Sequence, residues 1–165
     1  MIQTKRLTIK PFSEEDAEEI LHIMTNETVK QTYLVPDFSS KEQGLKTANH
    51  IIALSHDPKH CVLGVYLGED LIGFLNDVET ENDAIEMGYV IAPAYQNQGY
   101  ATEALKAVIH FMLYDCEMHL VEARHQSLNP ASGKVMEKAG MTKDAVLRGR
   151  RYNAETNSYC DLVFY

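Results

Sequence analysis

Residues 85–105 read IEMGYVIAPAYQNQGYATEAL, and the fold turns on how this stretch divides. Ala84–Ile91 is a short, strongly apolar run that reads as a strand, closed off by Pro93. From Tyr100 to Tyr114 the period changes, and Leu105, Val108, Ile109 and Met112 recur at helical spacing. Between the two lies the loop Gln96-Asn97-Gln98-Gly99-Tyr100-Ala101. The first N–H groups of a helix have no partner inside it, and the helix dipole places positive potential there, so such a loop forms an anion site. Gly99 and Ala101 lack bulk, which lets a pyrophosphate approach the main chain closely. No Gly-Lys-Ser/Thr follows, and the glycines lack the dinucleotide spacing G-x-G-x-x-G, which argues against nucleotide hydrolysis and hydride transfer.

Upstream, Arg6–Lys10 alternates with Leu7 and Ile9 on one face and predicts a first strand. Ser13-Glu14-Glu15-Asp16 has the form of a capping box, with Ser13 accepting from a free main-chain N–H. Ala17, Ile20, Leu21 and Met24 then make the stripe of an amphipathic helix. A second helix runs from about Ser40 to Leu54, with Leu45, Ala48 and Ile52 inward. Cys61–Leu67 and Leu71–Val78 read as strands joined at Gly68-Glu69-Asp70, and Glu81-Asn82-Asp83 turns the chain into Ala84–Ile91. Downstream, Leu120–His125 is another strand. Asn129 caps and Pro130 starts a helix with Ser132, Val135, Met136 and Ala139 on one face, and Gly140 stops it. Ala145–Arg151 and Ser158–Tyr165 close the chain around a turn at Asn153–Asn157. The order β-α-α-β-β-β-α-β-α-β-β predicts a mixed α/β (α+β) fold, a central mixed sheet with helices on both faces.

With 165 residues and 45% apolar content, the chain suits one domain, 1–165, whose core needs no metal or disulfide. A net charge of −9 disfavours general nucleic-acid binding, which needs Lys and Arg surfaces, and requires any phosphate site to be built locally. It also suits a cationic substrate. Cys61, Cys116 and Cys160 are odd in number and widely spaced, with no C-x-x-C pair, so neither a disulfide framework nor a metal site is indicated. The start MIQTKRLTIK has no signal-peptide core, and no apolar run reaches membrane-spanning length. Both point to the cytoplasm and away from a membrane partner.

The loop resembles motif A of the GNAT superfamily of N-acetyltransferases, Q/R-x-x-G-x-G/A after its fourth strand. Thr4-Lys5-Arg6-Leu7-Thr8-Ile9 resembles the opening strand of the Rim-type branch, the relatives of ribosomal-protein N-terminal acetyltransferases. Asn129-Pro130-Ala131-Ser132, followed by Lys138-Ala139-Gly140-Met141, resembles that branch's N-x-x-S…K-x-G-F motif, and Asp161–Tyr165 resembles its last strand. The matches fall in register over essentially the whole chain. They imply the GNAT fold, a mostly antiparallel sheet splayed between the fourth and fifth strands. They also imply acetyl-CoA as cosubstrate and direct transfer of its acetyl group to a primary amine in a ternary complex.

Carried onto this sequence, the resemblance implies that the pantetheine arm adds to the main chain of Tyr89, Val90 and Ile91. The pyrophosphate is implied to rest on the amides of Asn97, Gln98, Gly99, Tyr100, Ala101 and Thr102. Asn129 is implied to contact the pantetheine arm, and as a helix cap it would serve without any ligand. Direct transfer requires that the amine lose a proton, the oxyanion be stabilised and the thiolate be accommodated as it leaves. Many GNAT enzymes place a Tyr acid seven residues after this Asn; Met136 holds the position here and cannot donate a proton. Ser132 is the replacement, as donor to the sulfur, or else it only caps its helix. Glu86 leads as base, because a carboxylate on so apolar a strand needs a polar partner or a cavity. Glu122 and His125 are rivals; histidine as a residue type titrates near neutrality, and a lone strand histidine also serves structure. An α-amine, with a pKa of about 7.7–8.0 against about 10.4 for lysine, suits a weak or water-relayed base.

The acceptor is then a protein N-terminus or a small amine. Its pocket is expected near Asn26–Phe38 and the Asn153–Asn157 turn, where Tyr33, Phe38 and Tyr152 either pack a substrate or belong to core and rim. The absent Tyr keeps a second function class open, a non-catalytic acyl-CoA-binding module. A homodimer is an allowed assembly, and neither nucleic acid nor membrane is an expected partner.

Overall fold

The computed structural model describes residues 1–31, 37–153 and 157–165. The chain opens with two short antiparallel strands, β1 (Ile2–Gln3) and β2 (Thr8–Lys10), around a turn in which the Thr4 N–H donates to the Leu7 carbonyl at 2.9 Å. The single strand expected over Arg6–Lys10 is shorter because this turn takes up its start. Gly68 and Glu69 join β3 (Leu63–Leu67) to β4 (Asp70–Glu81), with Gly68 at φ +65°. Asn82 and Asp83, at φ +51° and +60°, join β4 to β5 (Ala84–Ile91), and two left-handed residues in a two-residue loop match the twist of the strands they connect. β4 runs on past its expected end at Val78, with a bulge between Asp77 and Glu79.

The sheet order is β1-β2-β3-β4-β5-β6, antiparallel up to β5. β5 and β6 (Leu120–Glu122) are parallel, paired only from Ala84↔Leu120 to Glu86↔Glu122. At Ala123 the chain changes sheets: its N–H and carbonyl exchange hydrogen bonds with Tyr165 at 3.0 and 2.9 Å. It continues as β7 (Arg124–Gln126), which joins β8 (Ala145–Asn153) and β9 (Ser158–Phe164) in a second sheet of order β7-β9-β8. Leu120–His125 is therefore two strands, not the one expected. β5 runs on to Ile91 paired with β4 alone, and this is the expected splay.

Helices cover both faces. α1 (Ala17–Thr25), α2 (Glu27–Lys30) and α3 (Lys41–Ser55) pack Ile20, Ile23, Val29, Ala48 and Ile52 against Phe12, Phe74 and Val90. α4 (Tyr100–His110) and α5 (Pro130–Ala139) bring Leu105, Val108 and Met136 against Leu7, Ile9, Ile72, Leu75 and Met87. Met87 and Val90 lie in opposite cores, as strand alternation requires. α4 does not run evenly to Tyr114; its end widens into a π turn, Phe111–Asp115. On α3 the buried stripe uses Gly44 where Leu45, half-buried, was expected, because Gly44 lies against Leu21 and Phe38. Ser13 donates its hydroxyl to Asp16 at 2.9 Å rather than only accepting, and Asp16 also takes the Ser13 N–H at 2.6 Å. No helix among the described residues is long and apolar enough to cross a membrane.

Candidate active site

Two left-handed residues and one long-range clamp shape the anion loop. Asn97 and Gly99, at φ +60° and +83°, turn the chain into α4. The α4 ladder opens with the Glu103 N–H donating to the Gly99 carbonyl at 3.0 Å, so the amides of Tyr100, Ala101 and Thr102 precede the first intrahelical bond. Gln96 folds back, its side-chain amide donating to the Ile91 carbonyl at 2.9 Å. Arg6 donates to the Gln98 carbonyl at 2.9 Å and lies over the Tyr100 ring at 4.4 Å. Glu103 pairs with the Arg6 guanidinium at 2.7 Å and accepts from the Thr4 hydroxyl at 2.7 Å and the Arg6 N–H at 2.9 Å. Burial alone would raise the Glu103 carboxyl; the Thr4 and Arg6 hydrogen bonds outweigh it and hold the group below the ordinary carboxylate value.

A cleft of about 650 Å³ opens from this loop. β5 forms one wall and β7 with α5 the other, and Thr28 and Val29 of α2 join the lining. Of the residues singled out in the sequence, Tyr89, Val90, Ile91, Asn97, Gly99, Tyr100, Ala101, Thr102, Asn129 and Ser132 line it. Gln98 does not: its side-chain amide donates to the Ala94 carbonyl at 3.1 Å and its own carbonyl is taken by Arg6. Asn129 caps α5, its side-chain oxygen accepting the Ser132 N–H at 3.3 Å, which leaves its –NH₂ as the donor it can turn to a ligand.

Of the candidate bases, His125 lines the cleft, whereas Glu86 and Glu122 lie outside its lining. The Gln126 carbonyl, 2.8 Å from His125 Nδ1, can only accept, so Nδ1 carries the proton and Nε2 is the acceptor of the neutral ring. Nε2 faces Gly133 so closely that a Cβ there would fall 2.6 Å away. Glu86 is held by Arg124 at 2.9 Å. Burial is the main reason its carboxyl is raised above the usual value; Arg124 pulls it down, and Glu122 and Glu79 push it further up.

Ser132 meets a partner that sequence reasoning missed. The Tyr89 hydroxyl lies 2.7 Å from Ser132 Oγ and 2.8 Å from the Ser132 carbonyl. Lys134 and Lys138, one turn apart on α5, add positive charge to the lining, and their spacing was a signal legible in so acidic a chain. Thr4, Arg6 and Glu103 carried no such local signal as a clamp, since Arg6 and Glu103 are 97 positions apart. Met136 is buried and itself forms part of the cleft lining. Phe38 lies in a separate groove with Leu21 and His22, and Tyr152 stacks edge-on with Tyr159 at 5.3 Å, outside the cleft lining. Tyr33 and part of the 153–157 turn fall outside the described residues. Among the described residues no group of His, Cys, Asp or Glu is placed to hold a metal ion.

An amide-lined helix start, a strand edge left open by the splay and two lysines are together the donor set that the phosphates and amide-bearing arm of acetyl-CoA require. The family model of the acetyltransferase (GNAT) domain matches residues 6–142. The chain belongs to the GNAT acetyltransferase family. An uncharacterized N-acetyltransferase of Bacillus subtilis, YoaA, is 25% identical over 160 residues, spanning 94% of this chain and 90% of its own. The ribosomal-protein-serine acetyltransferase of Escherichia coli is 26% identical over 147 residues, 87% of this chain and 81% of its own, in keeping with the Rim-type branch of GNAT proteins. The crystal structure of a GNAT acetyltransferase from Bacillus anthracis superposes with a TM-score of 0.84 at 26% identity, covering 99% of this chain and 95% of that one. This GNAT protein is thus an acetyl-CoA-dependent acetyltransferase.

Proposed function

We propose that residues 1–165 form one N-acetyltransferase domain that acetylates a primary amine, a protein N-terminus or a small amine, by direct transfer in a ternary complex. The observation that carries this is the convergence of the α4 amides, the open β5 edge and the Ser132 hydroxyl in one cleft. Acetyl-CoA supplies a thioester-activated acetyl group. The amides of Asn97 and of Gly99 to Thr102 hold its pyrophosphate, helped by Lys134 and Lys138. The main chain of Tyr89–Ile91 aligns the pantetheine arm, with Asn129 contributing its –NH₂. Ser132 donates its hydroxyl toward the departing sulfur, in place of the proton that Met136 cannot give. His125 accepts the proton of the amine at Nε2, directly or through water. Glu86, the base first expected, acts through Arg124: it fixes that guanidinium on the cleft wall.

The test is release of free CoA thiol from acetyl-CoA with a panel of amines, including short peptides with free N-termini and polyamines. We expect turnover with at least one class. Ser132→Ala and His125→Ala should each lower kcat on the order of 10²-fold or more, with the KM for acetyl-CoA little changed; Glu86→Gln should retain most of the activity. Acetyl-CoA binding without turnover across the panel would turn the reading to a binding module. Full activity in both alanine variants would remove those two residues from the mechanism.

A further inference from the structure

Met136 gives α5 no proton donor, but Ser132, one turn earlier, meets a hydroxyl brought from the other wall. Tyr89 lies on the part of β5 that has left β6, and its hydroxyl spans the cleft to touch Ser132 on α5 twice, at Oγ and at the carbonyl. Tyr89 has one proton for two acceptors, so the pair has two arrangements. In one, the phenol donates to the Ser132 carbonyl and accepts the Ser132 proton, and nothing is offered to the cleft. In the other, the phenol donates to Ser132 Oγ, and the Ser132 proton is free to face a ligand. The Ser132 carbonyl already accepts the Met136 N–H within α5, so losing the phenol leaves it paired. Turning two hydroxyls therefore converts one arrangement into the other, and an acceptor in the cleft favours the second because it adds a hydrogen bond.

We propose that Tyr89 is a positioning residue for acyl transfer: its hydroxyl directs the Ser132 hydroxyl so that the serine proton faces the departing sulfur of CoA. This rests on the reading of the cleft as an acetyl-CoA site. As the acetyl carbon–nitrogen bond forms, the carbon–sulfur bond breaks and its electron pair stays on sulfur. The proton lost by the amine goes to His125 and on to water, which returns one to the thiolate. The Ser132 and Tyr89 protons are shared along the chain phenol–serine–sulfur and are not lost, so neither residue changes charge. Burial, opposed by the Ser132 hydrogen bond, holds the Tyr89 phenol up at about 12, so it remains a donor throughout the neutral range.

The test needs no turnover. CoA is bound to the wild type, Tyr89→Phe, Ser132→Ala and the double variant, and the ultraviolet absorbance of the bound thiolate is followed as pH rises. A serine proton aimed at sulfur stabilises the thiolate, so the bound thiol should ionise about one pH unit lower in the wild type than in either single variant, a tenfold effect. The double variant should match the singles, because the two hydroxyls act as one unit. Replacing the tyrosines with the more acidic 3-fluorotyrosine should lower the midpoint further in the wild-type sequence and leave it unmoved in Tyr89→Phe. With an acceptor amine, Tyr89→Phe should reduce kcat about tenfold or more and leave the KM for acetyl-CoA within about threefold. A Tyr89→Phe midpoint equal to that of the wild type overturns the inference, whether or not stability falls. Tighter CoA binding with an unmoved midpoint would make the bridge a latch and overturn it too. A wild type that binds no CoA would instead overturn the acetyl-CoA reading beneath it.

Discussion

Gly99→Ala separates the conformational role of the loop from its binding role. Gly99 is at φ +83° and ψ 3°, the left-handed region, where an L residue costs about 1–2 kcal/mol. Space is not the obstacle: a Cβ there would meet Arg6 Nη2 at 3.4 Å, an ordinary contact. For a chain of this size, about 2–4 °C of Tm per kcal/mol converts the strain to a loss of roughly 2–8 °C. If the loop relieves the strain by turning, the amides of Tyr100 to Thr102 swing off the pyrophosphate. Losing one hydrogen bond to a charged group removes roughly 1.5–3 kcal/mol, or about 10- to 150-fold in acetyl-CoA affinity. Gly68→Ala is the control. Gly68 is at φ +65° with nothing within 4 Å of its would-be Cβ, in the β3–β4 hairpin and outside the cleft lining. Both variants should lose comparable Tm, and only Gly99→Ala should lose affinity in a calorimetric titration with acetyl-CoA. Equal affinity in the two, with the melting losses present, would refute the assignment of the α4 amides to the pyrophosphate.

Three further outcomes follow from the site. The Glu103 carboxyl is held below its unfolded value, so its stabilisation is full above the unfolded pKa of about 4.3 and is lost as pH falls through the folded value; Glu103→Gln should melt lower than wild type at pH 7, with the gap closing in acid, and a gap constant with pH would contradict the clamp. Gly133→Ala would force His125 aside by placing a Cβ 2.6 Å from Nε2; overpacking of this kind costs about 1–3 kcal/mol, and kcat should fall with it while acetyl-CoA affinity holds, so an active, undisturbed variant would place His125 outside the chemistry. Lys134→Gln with Lys138→Gln should weaken acetyl-CoA binding a few-fold at low salt and flatten its salt dependence, since both side chains are exposed and screened; an unchanged salt slope would assign the phosphates elsewhere.

What was legible in the sequence was local. The strand–loop–helix of 84–110, the Asn129 cap with Pro130 and the two hairpin turns each depend on residues a few positions apart, so composition and periodicity revealed them. The break at Ala123 was hidden because β6 and β7 continue one alternating pattern; what divides them is pairing with Tyr165 at the far end of the chain. Glu86 stood out as a carboxylate on an apolar strand, and it has the polar partner that burial demands, but Arg124 lies on a strand whose register the sequence does not disclose. Tyr89 was legible as strand edge and not as a side chain, because its contact with Ser132 crosses 43 positions and depends on the splay. The clamp of Arg6 on the loop is of the same kind. Interactions set by tertiary approach leave no periodic trace, and in this protein they are the ones that shape the cleft.

The most direct measurement is thermal melting of the ligand-free protein with and without saturating acetyl-CoA, with CoA and NAD as comparisons. At about a hundred times its Kd, a ligand of the folded state adds roughly 2.7 kcal/mol of stability, which for this chain length is about 5–11 °C. A rise of that size with acetyl-CoA and CoA, and none with NAD, is the predicted result. Folded protein that melts at the same temperature in all four conditions would contradict the acetyl-CoA site and every role assigned to the cleft.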